Sequence, residues 1–210
     1  MSNNFDRCVA VTLAYEGGFV DNPADPGGAT NFGITLRTLE AFLGEPVTVD
    51  DVRNMTVDTA TAIYGANYWN AMRCSALPPG VDMALFDFGV NSGIGRAVRT
   101  LQRIVSVAQD GSVGPATIGA VQEWRPADLV TSLCSARLAF LRGLPTFAEF
   151  GNGWTTRVKD VAGRALAMVA GAGPVVPAAP PSEPATSGPD NSADALMAQE
   201  QATLDEEPSS

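Results

Sequence analysis

Chemistry in this chain must run on carboxylates, hydroxyls or arginines, because none of its 210 residues is histidine. Without an imidazole, Ser-His-Asp hydrolases, Cys-His hydrolases and the usual His-bearing zinc sites are excluded together, since each needs that ring as base or ligand. Glu16 is the best-placed acid. Phe5, Cys8, Val9, Thr12, Leu13 and Glu16 fall at i, i+3, i+4, i+7, i+8 and i+11, so Glu16 closes a mostly apolar helical stripe. A carboxyl there loses hydration, which disfavours its ionised form and raises its pKa toward the range a general acid needs. Glycosidic hydrolysis commonly takes two carboxyls, one protonated to donate to the leaving oxygen and one ionised to activate water or attack the sugar. Asp21 and Asp25 are the candidates for the second role, and Asp21 is also a candidate substrate contact. Asp25 precedes Pro26-Gly27-Gly28, which permit a tight turn and close backbone approach to a ligand, and the Thr30 hydroxyl can hold a water. An acid before Gly-Gly and an Asp before Pro-Gly are also ordinary turn features, so spacing alone leaves both readings open.

The elements that must position these groups read as helices. A first helix capped near Asn3 or Asn4 runs to the Gly17-Gly18 pair. Residues 19–34 are too rich in Gly, Pro and Asp for helix and predict turns with a small β-hairpin. Thr35 can cap a helix through Leu36, Leu39, Phe42 and Leu43 that Gly44 ends. Helical patterns follow at about 48–54, 57–72, 80–90, 95–107, 115–122, 126–142 and 154–169, with no internal repeat. The fold class expected is mostly α, with one small irregular or β-hairpin lobe near the N-terminus. From about Ala170 the chain turns Ala/Pro/Ser/Glu-rich, which predicts a flexible acidic tail over 171–210.

Composition narrows the function further. Seven of the 23 acidic residues lie beyond residue 170, where there is no Lys or Arg, so the body carries only −3 of the formal −10. That balance gives no basic stripe for nucleic acid. Cys8, Cys74 and Cys134 are far apart, odd in number and set among apolar or small residues, which reads as reduced core thiols. Asp6 and Arg7 interrupt the first apolar stretch, so it does not read as a signal peptide, and no run approaches the ~20 apolar residues of a membrane span. Arg96, Arg99 and Arg103 recur at helical spacing and form a basic face, either simply solvated or drawing in an anionic partner. Trp69, Trp154 and Tyr68 can stack on sugar rings, though each sits in a helical pattern where aromatics are more often core or rim.

Glu16-Gly17-Gly18-Phe19, then Asp25-Pro26-Gly27-Gly28-Ala29-Thr30, then Gly33-Ile34-Thr35 closely resembles the signature of glycoside hydrolase family 108, endolysin-type N-acetylmuramidases of the lysozyme-like superfamily. The Glu, Asp, Thr order is also similar to the catalytic triplet of phage-type lysozymes, with a shorter Asp-to-Thr gap. This resemblance implies a lysozyme-like helical body in which Glu16 is the acid while Asp25 and Thr30 position the nucleophilic water. Residues 86–93 (Phe86-Asp87-Phe88-Gly89-Val90-Asn91-Ser92-Gly93), Leu101-Gln102 and the 109–117 run (Gln109-Asp110-Gly111-Ser112-Val113-Gly114-Pro115-Ala116-Thr117) resemble the peptidoglycan-binding segment predicted to follow the catalytic part. Asp110-Gly111 is a turn signal and Gly114-Pro115 a helix start, so a purely structural junction accounts for those residues equally well. Phe88 and Asn91 are candidate substrate contacts, Phe88 fitting a core position as readily. Arg157, one turn after Trp154, matches a Trp-x-x-Arg feature of the family and receives no role.

The resemblance implies a division into a catalytic region (1–90), a peptidoglycan-binding helical region packed on the same body (91–170) and the tail (171–210). It implies hydrolysis of the β-1,4 bond between N-acetylmuramic acid and N-acetylglucosamine in peptidoglycan, with no metal or organic cofactor. The rivals are a lytic transglycosylase giving anhydro-muropeptides and a non-catalytic peptidoglycan-binding phage-type structural protein. The expected setting is cytoplasmic until a holin-type membrane permeabiliser releases the protein to the periplasmic wall, without nucleic acid or stable membrane insertion. The Ala/Gly/Arg-rich body with its single lysine fits a GC-rich source, and so a prophage or gene-transfer-agent lysis cassette.

Overall fold

The computed structural model describes residues 4–21 and 28–171. The predicted tail lies outside these residues except for Gly171. Helices dominate: α1 (Asn4–Leu13), α2 (Leu36–Leu43), α3 (Val49–Arg53), α4 (Val57–Tyr64), α5 (Val81–Ser92), α6 (Ile94–Ile104), α7 (Pro115–Gln122), α8 (Pro126–Arg142) and α9 (Phe147–Val169). The single sheet among the described residues is the hairpin β1 (Thr30–Asn31) and β2 (Ile34–Thr35), antiparallel, with Thr30 opposite Thr35 and Asn31 opposite Ile34. The expected mostly α body with a small β-hairpin lobe near the N-terminus is what the chain forms.

Local chemistry explains several boundaries. The Thr35 side chain accepts the Thr38 N–H at the start of α2, and Gly44 adopts the left-handed conformation that ends it. Thr48 and Asp51 form a reciprocal capping box on α3. Pro115 occupies the first turn of α7, where its missing N–H costs nothing.

Two expected helices differ. The 57–72 pattern splits into α4 and a π-helical turn, Gly65–Asn70, in which the wider spacing carries Tyr68 and Trp69. Gly65 opens that turn, and a Cβ there would stand 3.1 Å from the Phe5 ring. The last helix begins at Phe147 rather than near 154. Gly151 and Gly153 weaken helix propensity, but Phe147 and Phe150 pack on Trp154 and make the extra turns favourable, and a Cβ at Gly151 would press on the Phe147 ring.

Helix α5 is the axle of the fold. Every residue from Val81 to Gly89 is buried, and α1, α6, α8 and α9 all pack on it. A helix enclosed on all sides should be apolar throughout. Instead α5 holds Asp82 and Asp87, each 1% exposed, together with buried Asn91 and Ser92. Asp82 closes its own helix start, accepting the N–H groups of Gly80 and Met83, and accepts Asn4 of α1 on its other oxygen. Desolvation raises its pKa despite those bonds. The three cysteines are free and buried, and burial pushes the Cys134 thiol up to about 11, so these thiols are core packing. Among the described residues no helix is long and apolar enough to cross a membrane.

Candidate active site

Glu16 sits just past the end of α1, with its backbone N–H still bonded to the Thr12 carbonyl. That bond continues the helical turn and aims the carboxyl across the fold, where only 6% of the side chain remains exposed. The hairpin forms its roof: the Phe32 N–H donates to the Gly17 carbonyl, and Gly33 passes so close that a Cβ on it would lie 2.5 Å from Glu16 Oε2. Gly33 also has φ of +69°, which favours glycine, so contact and conformation select the same residue. Tyr64 holds this turn by donating to the Phe32 carbonyl at 2.8 Å. Tyr68 stacks on Tyr64 at 5.5 Å, and its hydroxyl pKa is raised by desolvation and by the Glu16 charge, which places it within electrostatic reach of the acid.

The floor is built from charges. Arg157 of α9 donates from Nη2 to Glu16 Oε1 at 2.9 Å and to Asp87 Oδ1 at 2.9 Å, while its Nε reaches both Asp87 oxygens at 3.2 Å. Arg137 of α8 donates from Nη1 to Asp87 Oδ2 at 2.6 Å and from Nη2 to Asn91 at 2.8 Å. Thr12 donates its hydroxyl to Asp87 Oδ1. Burial alone would raise the Asp87 carboxyl, but the Arg157 and Arg137 guanidiniums more than offset it and hold it well below the usual carboxylate range. Tyr15 lies 5.3 Å from the Arg157 guanidinium and donates its hydroxyl to Asp160, which Arg164 also contacts.

Arg157 changes the electrostatics expected at Glu16. Spacing on α1 pointed to desolvation alone, which disfavours the ionised form. A guanidinium at 2.9 Å stabilises that form, so two opposed influences meet at one carboxyl.

The other candidates separate clearly. Thr30 lies on β1, 7% exposed, and exchanges backbone hydrogen bonds with Val20. Asp21 is exposed beside that bridge. Asp25 lies outside the described residues. Phe88 is 1% exposed and Asn91 5%, so both sit within the core, with Asn91 accepting from Arg137 rather than facing solvent. Trp69 and Trp154 are likewise buried, Trp69 donating to Ser75, which leaves Tyr68 as the half-buried one of these three aromatics. The 102–117 junction is held by buried Gln102, which donates to Asp110, the Ser112 carbonyl and Thr117 and accepts from Gly111. Arg96 of the basic face lies over the Phe140 ring at 3.9 Å. Beyond the roof, Arg37, Thr38, Ala41 and Phe42 of α2 and Asn67 of the π-helical turn line an open groove of about 410 Å³.

Sequence reasoning left Asp87, Arg137, Arg157, Gly33 and Tyr64 without a role. Arg157 had a visible signal in its spacing from Trp154. Asp87 had one too, as an acid inside an otherwise apolar run.

A helical body with a small hairpin lobe thus encloses the side chain of Glu16. Residues 9–93 match the family model for glycosyl hydrolase 108, and residues 96–159 match that for a predicted peptidoglycan domain. Among twelve matching solved chains, the structure of Brucella abortus SagA is 48% identical, with a TM-score of 0.70 over 79% of this chain and 95% of that one. No curated protein matches. The chain belongs to the glycosyl hydrolase 108 family and is a glycoside hydrolase acting on peptidoglycan.

Proposed function

We propose that the protein is an N-acetylmuramidase that cleaves the β-1,4 bond between N-acetylmuramic acid and N-acetylglucosamine, with Glu16 protonating the bridging oxygen. The observation that carries this reading is the enclosure of the Glu16 carboxyl between the glycine turn and Arg157. A carboxyl so enclosed can hold a proton away from bulk water and is fixed in direction by two independent contacts. Asp87 is as near to Arg157 but is committed to two arginines and a threonine in the core, so it is not the second acid of the reaction. Asp25 and Thr30 are proposed to hold the attacking water on the opposite sugar face. That arrangement inverts the anomeric centre and requires carboxyls about 6.5–9.5 Å apart.

The biological role that fits is an endolysin, held in the cytoplasm until a holin-type permeabiliser admits it to the periplasmic wall, in a prophage or gene-transfer-agent cassette. Digestion of purified Gram-negative peptidoglycan, followed by mass analysis of the soluble muropeptides, tests the reaction. Reducing-end products from the wild type that disappear with Glu16→Gln are expected, a loss of about 10²–10⁴-fold for removal of a general acid. Anhydro-sugar products would replace hydrolysis by transglycosylation, and absence of lysis by folded wild type would leave a wall-binding protein.

A further inference from the structure

The two family matches divide the chain at the junction between α5 and α6, yet the charge cluster beneath Glu16 crosses that division. Glu16 and Asp87 belong to the first matched segment, Arg137 and Arg157 to the second. Arg157 is shared between the two carboxylates through a single nitrogen, Nη2, at 2.9 Å from each. Whatever draws that guanidinium toward Asp87 alters its hold on Glu16. Arg137 in turn occupies Asp87 Oδ2, leaving Oδ1 as the principal acceptor for Arg157 Nη2.

We propose that Asp87 and Arg137 are positioning residues for Glu16, acting through Arg157, so that the segment matched as a predicted peptidoglycan domain forms an integral half of the active site. The proposal rests on the reading of Glu16 as the acid. Structure alone does not demand this cluster. Buried ion pairs are often no more stabilising than apolar replacements, and α5 could have been apolar throughout. A cluster of two carboxylates and two guanidiniums is balanced when Glu16 is ionised and carries one excess positive charge when Glu16 is protonated. The arginines thus hold Glu16 ready to take up a proton only at a cost that Asp87 moderates.

Among the described residues, the charged and titratable groups facing Glu16 include Arg157 from α9, Asp87 from α5 through that arginine, Arg137 from α8 behind Asp87, and Tyr64 and Tyr68 from α4 and the π-helical turn. Tyr15 meets Arg157 from the α1 side, with Asp160 and Arg164 beyond it.

The test is the pH dependence of kcat/KM on purified peptidoglycan, measured on the full chain, because its alkaline limb reports loss of the proton from the general acid. Removing a positive charge makes the proton harder to lose, so Arg157→Met moves the limb to higher pH by about 1–3 units. Arg137→Met moves it the same way by less. Asp87→Asn removes a negative charge and moves it to lower pH. Arg157→Lys keeps the charge and leaves the limb close to wild type while lowering kcat. General loosening of the fold cannot produce opposite shifts from neighbouring residues. Should Asp87→Asn fail to fold, the graded upward shifts of Arg157→Met and Arg137→Met carry the test. Limbs that coincide with wild type in folded variants, or an upward shift from Asp87→Asn, would overturn the proposal. Full activity in Glu16→Gln would instead remove the reading on which it rests.

Discussion

Glu16 has a roof and a floor, and the two are made in different ways. The roof is local: a hairpin 14–19 residues downstream of the acid, closed by Gly33 and pinned by Tyr64. The floor is remote, with Asp87 71 residues from Glu16 and Arg157 141 residues away. A local roof is specified by residue size and backbone freedom, whereas the floor is specified by charge balance and exists only once α5, α8 and α9 have packed together. The contrast assigns charge and stability to the floor and the close packing of the carboxyl to the roof.

Changes to the floor should cost stability as well as move the pH limb of activity. Arg137→Met removes the Nη1 donor to Asp87 Oδ2 and the Nη2 donor to Asn91, and denaturant unfolding should report a loss of about 3–5 kcal/mol, the usual cost of breaking a buried pair by removing one partner. A loss below about 1 kcal/mol would mean the floor is not the stabilising half. Changes to the roof should show mainly as lost activity. Gly33→Ala costs about 1–2 kcal/mol for a left-handed residue with a side chain, but its Cβ must displace the Glu16 carboxyl. Turnover on peptidoglycan should fall on the order of 10²-fold, as for a misplaced catalytic group. Unchanged turnover would place the reacting geometry somewhere other than beneath Gly33.

The same contrast explains what could be read from the sequence. The apolar stripe of α1 was legible, although the helix ends at Leu13 and Glu16 follows it in a turn, and the limits of α2 followed from Thr35 and Gly44. The glycine turn was legible because short-range conformational demands leave their mark on residue type. Asp87 and Arg157 were visible as anomalies, an acid in an apolar run and an arginine a turn after a tryptophan. Their pairing was not legible, because one sequence does not say which distant helices meet. The motif makes Phe88 and Asn91 candidate contacts, yet both are buried in the core. Helical phase on α5 could not reveal their burial, since that helix is covered on every side. The start of α9 was missed for a related reason: Phe147 and Phe150 gain from packing on Trp154 what Gly151 and Gly153 lose in propensity.

The central claim is that residues from the two matched segments act as one unit at Glu16. The most direct measurement is a double-mutant cycle of urea unfolding on wild type, Glu16→Gln, Arg157→Met and the double variant, which needs no substrate. A coupling energy of about 1–3 kcal/mol between the two positions is the predicted result for contacting groups in one network, whereas effects that add to within about 0.3 kcal/mol would contradict it.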